Sequence, residues 1–174
     1  MELAGLIRSI PDFPKPGIVF KDITTLLGDA EAFSGVIEAW AERLRSRGVT
    51  RILAIEARGF IFGGALAHHL RVPLALARKP GKLPWLTIRE SYSLEYGTDS
   101  LEIHRDAIVE GDRVAVVDDL LATGGTALAA IRLAEQLGGE VVDVGFLIEL
   151  AFLSGRRKLE RYPVESYIAY ASEA

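Results

Sequence analysis

Val114-Ala115-Val116-Val117-Asp118-Asp119-Leu120-Leu121-Ala122-Thr123-Gly124-Gly125-Thr126 is the stretch that decides how this chain folds. Its opening residues are apolar and mostly β-branched, too few for a helix, and read as a buried strand of a parallel sheet over 113–117. Asp118 and Asp119 follow at the strand's end, and the C-terminal ends of strands are where open α/β sheets bind ligands. From Ala122 to Thr126 there is little side chain, so the backbone N–H groups can close around an oxyanion. A helix starting near Thr126 adds the positive end of its dipole. The two carboxylates repel a phosphate, so they suit a neighbouring group: sugar hydroxyls, which donate to carboxylates, or a metal ion. The ligand described is a phosphate at one end and a sugar diol at the other. An isolated Asp-Asp pair after a strand also caps helices or forms the acidic pocket of receiver-type domains; the attached small-residue loop sets this pair apart. No Walker A or dinucleotide glycine fingerprint occurs.

The rest of the composition narrows the class. At 174 residues, 49% hydrophobic and 25% charged, the chain suits one domain (1–174) with a proper core. No run is apolar enough to span a bilayer and nothing resembles a secretory leader, so no membrane partner and a cytoplasmic location are expected. Cysteine is absent, which excludes disulfides and thiolate chemistry. A net charge of −4 argues against nucleic acid as a partner, so an anionic substrate must be met by locally placed cations.

Around the central stretch, strand and helix alternate. A helix is predicted from Asp29 to about Arg47, with Phe33, Val36, Ile37, Trp40, Ala41 and Leu44 on one face and Gly48 as its stop. Strand 51–55, helix 59–70 and strand 72–77 form a βαβ unit, which implies a parallel sheet covered on both faces. Helix 125–137, strand 140–149, a short helix near 155–160 and a strand near 164–170 complete it. A short amphipathic segment, Leu3 to Ile10, precedes a stiff Pro-rich connector at Pro11–Gly17. Residues 78–106 break the rhythm; they have room for a β-ribbon around Gly97, and a mobile lid is expected there.

Three other places carry candidate chemistry. Glu56-Ala57-Arg58-Gly59-Phe60 is a strand-to-helix turn with Arg and Gly, a second anion site or else a helix cap with a solvated arginine. Arg78-Lys79-Pro80-Gly81-Lys82 puts three cations at the end of the next strand, facing the same crevice or else merely solubilising a loop. Glu95, in the lid, is either a surface residue of a ribbon or a carboxylate near the reacting centre. His68, His69 and His104 give no metal-binding pattern, and no residue is assigned as a metal ligand.

Taken together, these motifs resemble the type I phosphoribosyltransferases, which bind 5-phosphoribosyl-1-pyrophosphate (PRPP). The segment Pro11-Asp12-Phe13-Pro14-Lys15-Pro16-Gly17-Ile18-Val19-Phe20-Lys21-Asp22-Ile23 is similar to the adenine branch of that family in order and spacing. So are Glu56 to Phe60, Gly81-Lys82-Leu83-Pro84, Ser91 to Gly97 and Leu101-Glu102-Ile103-His104. The resemblance implies a mostly parallel twisted α/β sheet flanked by helices, with an N-terminal hood at about 1–28 and a lid at about 86–105. It implies that Asp118 and Asp119 hold the ribose hydroxyls and that Ala122, Thr123, Gly124, Gly125 and Thr126 cradle the 5′-phosphate. Arg58, Arg78 and Lys82 face the pyrophosphate together with Mg²⁺, itself held mainly by substrate oxygens and water. Val19, Phe20 and Lys21 in the hood, and Leu150 opposite, form the adenine slot; Glu95 assists the proton transfer. The implied reaction converts adenine and PRPP to AMP and pyrophosphate in a homodimer. Trp85 is bulkier than the family pattern suggests, and packing at a dimer contact or an effect on the lid is expected of it. A PRPP-sensing regulator without catalysis would carry an added DNA-binding segment, for which the first ten residues leave no room. A 6-oxopurine enzyme would use a different hood, and a plain nucleotide-binding module would not need basic loops after two separate strands.

Overall fold

Nine strands and four α-helices follow one another in the computed structural model, which describes residues 3–94 and 97–173. The elements used below are β1 (Arg8–Ile10), β2 (Phe20–Asp22), α1 (Thr24–Leu27), α2 (Ala30–Ser46), β3 (Arg51–Ile55) and α3 (Gly59–Leu70). They continue with β4 (Leu74–Ala77), β5 (Thr87–Leu94), β6 (Gly97–His104), β7 (Arg113–Leu121), α4 (Gly125–Gln136), β8 (Glu140–Leu150) and β9 (Val164–Tyr170). Short 3₁₀ turns lie at Leu3–Leu6, Ala151–Leu153 and Gly155–Leu159.

The centre is a five-stranded sheet in the order β4-β3-β7-β8-β9, every neighbouring pair parallel. Its strands are apolar on both faces because both faces are covered. In β7, Val114 and Val116 enter one core with α4, Leu101 and Ile103, while Ala115 and Val117 enter the other with α2 and α3. That is the two-residue period of a strand read from each side. Helix α2 forms as predicted, with the Asp29 side chain accepting from the Ala32 N–H at 3.0 Å as its N-cap. Its Trp40 is fully buried against Phe62 and Tyr167. At the far end of the sheet from the strand termini that matter below, the fully buried Asp143 is held by Arg43 at 2.8 Å and Arg47 at 3.0 Å. A buried carboxylate is tolerated only with such partners.

Three readings of the sequence need adjusting. Strand β7 does not end at Val117; pairing with β8 carries it through both carboxylates to Leu121. Strand β4 starts at Leu74 rather than 72, because Pro73 has no N–H to give the ladder. The segment Leu3 to Ile10 is a 3₁₀ turn and a strand, β1 pairing antiparallel with β2 to form the hood. The polar stretch after β4 is largely ordered ladder: β5 and β6 pair antiparallel from Thr87↔His104 to Leu94↔Gly97. The root of this ribbon is core, with Leu101 and Ile103 fully buried.

Candidate active site

Register decides which loops meet. Ala54 of β3 lies beside Val117 of β7, and Ile55 beside Ala77 of β4. The turns after β3 and β4 and the end of β7 therefore leave the sheet along one edge, the carboxyl edge where parallel sheets bind ligands. A cavity of about 300 Å³ opens there. It is lined by Glu56, Ala57 and Arg58 from the first turn, Lys79 from the second, and residues 118–124 with Thr126, Ala127 and Phe146 from β7, α4 and β8.

Of the residues singled out from the sequence, Arg58, Asp118, Asp119, Ala122, Thr123, Gly124 and Thr126 all face this cavity. Gly125 lies just outside, beneath the ribbon, where an added Cβ would stand 3.2 Å from the Tyr92 ring. The loop has its shape because two glycines interlock. Gly124 sits at φ +83°, which L side chains avoid, and a Cβ there would lie 2.5 Å from the Gly155 carbonyl. The loop then runs directly into α4, whose N-terminus carries no side-chain cap among the described residues, the kind of helix start that suits an anion.

The acidic half is equally close-packed. A Cβ on Gly59 would stand 2.8 Å from Asp118 Oδ1, so α3 starts hard against the end of β7. The Asp119 N–H donates to Asp118 Oδ1 at 2.8 Å. Asp118 keeps some open surface toward the cavity but is otherwise walled by protein. That burial first, and the Asp119 charge second, push its carboxyl well above the usual range. Arg58 Nε stands 2.8 Å from Asp119 Oδ2, yet that buried oxygen accepts no aligned hydrogen bond. Both carboxylates thus keep acceptor capacity toward the cavity, which suits hydroxyl donors or a hard cation. Among the described residues no group of three or more His, Asp or Glu side chains is placed to hold a metal by itself.

The cations are committed to internal partners. Glu56 accepts from Lys82 Nζ at 2.6 Å and from the Lys79 N–H, with Arg78 Nε at 3.5 Å. Burial acts to raise the Glu56 pKa, but the bonds from Lys82 and Lys79 outweigh it and hold the carboxyl below its ordinary 4.5. Arg78 and Lys82, held at Glu56, are not among the residues that line the cavity. Lys79 reaches the ribbon, where its ammonium contacts the Asp99 carboxylate and donates to the Tyr92 hydroxyl at 2.8 Å. Backbone bonds between Arg78 and Glu102, at 2.7 and 2.9 Å, stitch this loop to the ribbon's root.

The four adenine-slot residues are placed less uniformly. The Arg58 guanidinium lies over the Phe20 ring at 5.0 Å, so the hood reaches the acidic end of the cavity. Phe20 also packs edge-on to Phe13 at 5.1 Å. Val19 is half-buried beside it. The Lys21 side chain points elsewhere: buried, it donates to Ser9 Oγ at 3.0 Å and lies over the Tyr170 ring. Leu150 ends β8 and packs into the core shared with the hood. Glu95, the carboxylate expected near the reacting base, lies outside the described residues. The sequence reading did not single out Lys79, Glu56, Phe146 or Gly155 as part of the site. Only the first two stood in runs that marked them.

A glycine loop at a helix start, a carboxylate pair and an arginine around one sheet-edge cavity have the chemistry of a nucleotide-handling class, and comparison with known proteins gives the family. The Phosphoribosyl transferase domain family matches residues 24–171, and the chain belongs to it. An adenine phosphoribosyltransferase of Chloroflexus aurantiacus is 56% identical over 169 residues, which is 97% of this chain and 98% of that one. The crystal structure of the adenine phosphoribosyltransferase of Thermoanaerobacter pseudethanolicus superposes with a TM-score of 0.94 at 56% identity, over 97% of this chain and 98% of that one. The Saccharomyces cerevisiae enzyme, solved with adenine and an imino-altritol bisphosphate, superposes at 0.90 with 39% identity over 95% and 96% of the two chains. Within the family, the chain falls among the adenine phosphoribosyltransferases.

Proposed function

We propose that the protein is a purine-salvage enzyme that forms AMP and pyrophosphate from adenine and PRPP. The observation that carries this reading is the one cavity in which Asp118, Asp119, Arg58 and the loop residues Ala122, Thr123, Gly124 and Thr126 converge. That cavity matches PRPP part by part. The loop and the start of α4 take the 5′-phosphate through backbone N–H groups. Asp118 and Asp119 accept hydrogen bonds from the ribose 2′- and 3′-hydroxyls. Arg58 and Lys79, with Arg78 and Lys82 outside the lining, meet the pyrophosphate.

In the reaction, adenine N9 forms a bond to C1′ as the C1′–O bond to pyrophosphate breaks. The electron pair departs with pyrophosphate and the N9 proton is lost. The carbon passes through an oxocarbenium-like state, so the protein's work is to hold the base in line and to stabilise the departing charge. Arg58 is placed for both, reaching the acidic pair with its guanidinium and carrying the Phe20 ring at 5.0 Å. Residues Val19 to Lys21 supply the base slot through backbone atoms and the Phe20 ring, the Lys21 ammonium being occupied elsewhere. Backbone groups can separate a 6-amino from a 6-oxo purine because one donates where the other accepts. Leu150 forms the opposite wall and Glu95 receives or relays the N9 proton. The ribbon 87–104 acts as the lid, keeping out water that would compete with adenine.

Magnesium, held by PRPP oxygens and water with Asp118 and Asp119 nearby, would neutralise pyrophosphate charge. The proposal includes a cytoplasmic homodimer. An apolar strip on the outer edge of the sheet, with Leu74, Leu76, Trp85 and Leu86 each at least 36% exposed, supports self-association. The test is a spectrophotometric assay with PRPP, Mg²⁺ and each of adenine, hypoxanthine, guanine and xanthine. AMP from adenine alone is expected. Turnover of a 6-oxopurine instead overturns the base assignment, and PRPP binding without turnover of any base points to a sensor.

A further inference from the structure

Arg58 and Lys79 are the cations lining the cavity among the described residues, and Lys79 is the one tied to the ribbon. Its ammonium sits between Asp99 and Tyr92, which face each other across the β5–β6 ladder. Asp99 also accepts from its neighbouring Ser100 N–H, at 2.8 Å, and the Tyr92 hydroxyl across the ladder is a further hydrogen-bond partner. Tyr92 in turn rests on Gly125, the first residue of α4. Beyond this point the ribbon is exposed: Ser93, Leu94, Gly97 and Thr98 all stand in solvent. The Lys79 contact is therefore where the outer half of the ribbon is fastened to the body of the site.

We propose that Asp99 is a built-in competitor of the pyrophosphate group for Lys79, so that the arriving anion takes the lysine and unfastens the ribbon. The inference rests on the PRPP reading of the cavity. Pyrophosphate offers several oxygens and more charge than one carboxylate, so it wins the ammonium. Asp99 then loses its cation, and the outer half of the ribbon, no longer held at Lys79, is free to settle over the occupied cavity as the lid. Because the ligand favours the unfastened state, ribbon position and pyrophosphate occupancy are coupled, and the fastened state lowers the apparent affinity for PRPP. Asp99 and Tyr92 are positioning residues in this scheme; they act through Lys79.

The experiment is a double-mutant cycle on the full chain, Asp99→Asn with and without Lys79→Met. It is read as KM for PRPP and, separately, as Kd for inorganic pyrophosphate by calorimetry. An exposed-to-half-buried ion pair is lost, so Asp99→Asn is expected to tighten both about two- to five-fold without raising kcat. In the Lys79→Met background the same change is expected to do nothing. Tyr92→Phe keeps the ring on Gly125 and removes only the hydroxyl. It is expected to shift affinity the same way by less, and it keeps the test decisive where Asp99→Asn folds poorly. Weaker or unchanged affinity in both ribbon variants overturns the proposal. So does tightening that persists without Lys79, since that is a general field effect. Wild-type protein that binds pyrophosphate but turns over no adenine defeats the adenine reading and leaves the cycle readable by calorimetry. Protein that binds neither PRPP nor pyrophosphate defeats both.

Discussion

Replacing Gly124 by alanine tests the phosphate-loop assignment without touching any charged group. Two costs arise from the geometry. The residue sits at φ +83°, and an L side chain in the left-handed region costs about 1–2 kcal/mol. The new Cβ would also stand 2.5 Å from the Gly155 carbonyl, and ordinary contact begins at 3.4 Å. One of two backbone segments must therefore move by about 0.9 Å, roughly the scale at which misplacement costs about 100-fold in rate. Gly155 is packed in its turn against the Ala122 carbonyl, so the displacement falls on the loop proposed to hold the 5′-phosphate. The expected result for Gly124→Ala is a fall of about 100-fold in kcat/KM for PRPP. The melting temperature is expected to fall by about 3–8 °C, from the backbone cost and the entropy of unfolding a chain of this size. Gly64→Ala is the control: nothing lies within 4 Å of the added Cβ, and it sits inside α3, where alanine is preferred. Its kcat/KM is expected to be unchanged. Near-wild-type kcat/KM in a folded Gly124→Ala variant would refute the claim that this loop holds the phosphate.

Asp118→Asn should separate stability from function. Because burial and Asp119 raise the folded pKa of Asp118, its ionised form opposes folding above its ordinary 3.8. The variant is expected to melt higher than wild type at pH 7, with the gap closing toward pH 4, while its KM for PRPP rises by tenfold or so; a lower melting temperature at pH 7 would count against this account of the pair. Glu56 has the opposite sign. Its folded pKa lies below 4.5, so its contribution is present above that pH and disappears as pH falls through the folded value. Glu56→Gln is expected to lose stability at pH 7 and to show a flatter melting profile below pH 4.5, with weaker pyrophosphate affinity as Arg78 and Lys82 lose their anchor. For the sheet edge, Leu76→Lys combined with Trp85→Ser is expected to convert a dimer to monomers in sedimentation velocity, and wild-type protein that sediments as a monomer removes the proposal.

The alternation of strands and helices was legible because each element announced its own period. Helix α2 shows its apolar face at Val36, Ile37, Trp40, Ala41 and Leu44 and begins on an Asp cap, and it formed within a residue of the expected ends. The end of β7 was less legible. A strand can carry carboxylates to its last pair when its neighbour continues alongside, and β8 does so to Leu150. The ribbon's root was hidden by composition, because Leu101 and Ile103 are a two-residue alternation inside a polar stretch. In the site, the glycine loop and acidic pair that line the cavity were visible because they are contiguous in the sequence. The commitments of Lys79 to Asp99 and of Glu56 to Lys82 were not, since they join residues 20 and 26 positions apart. Lys21 shows the same limit: its position in the hood was readable, but not that its ammonium faces Ser9 and Tyr170.

The ribbon's anchorage has a mechanical consequence. One end of β5–β6 is embedded in the core through Leu101 and Ile103, while Ser93, Leu94, Gly97 and Thr98 toward the other end are exposed to solvent. It is a beam clamped at one end. Such a beam does not swing as a rigid door; it bends where the clamp releases it, near the Ser91–Ser100 pair, whose hydroxyls meet at 2.9 Å. The paired residues outside that point are one ladder, so they turn together through one arc about it. Lengthening the tip would widen that arc, whereas loosening the root would release the core along with the lid.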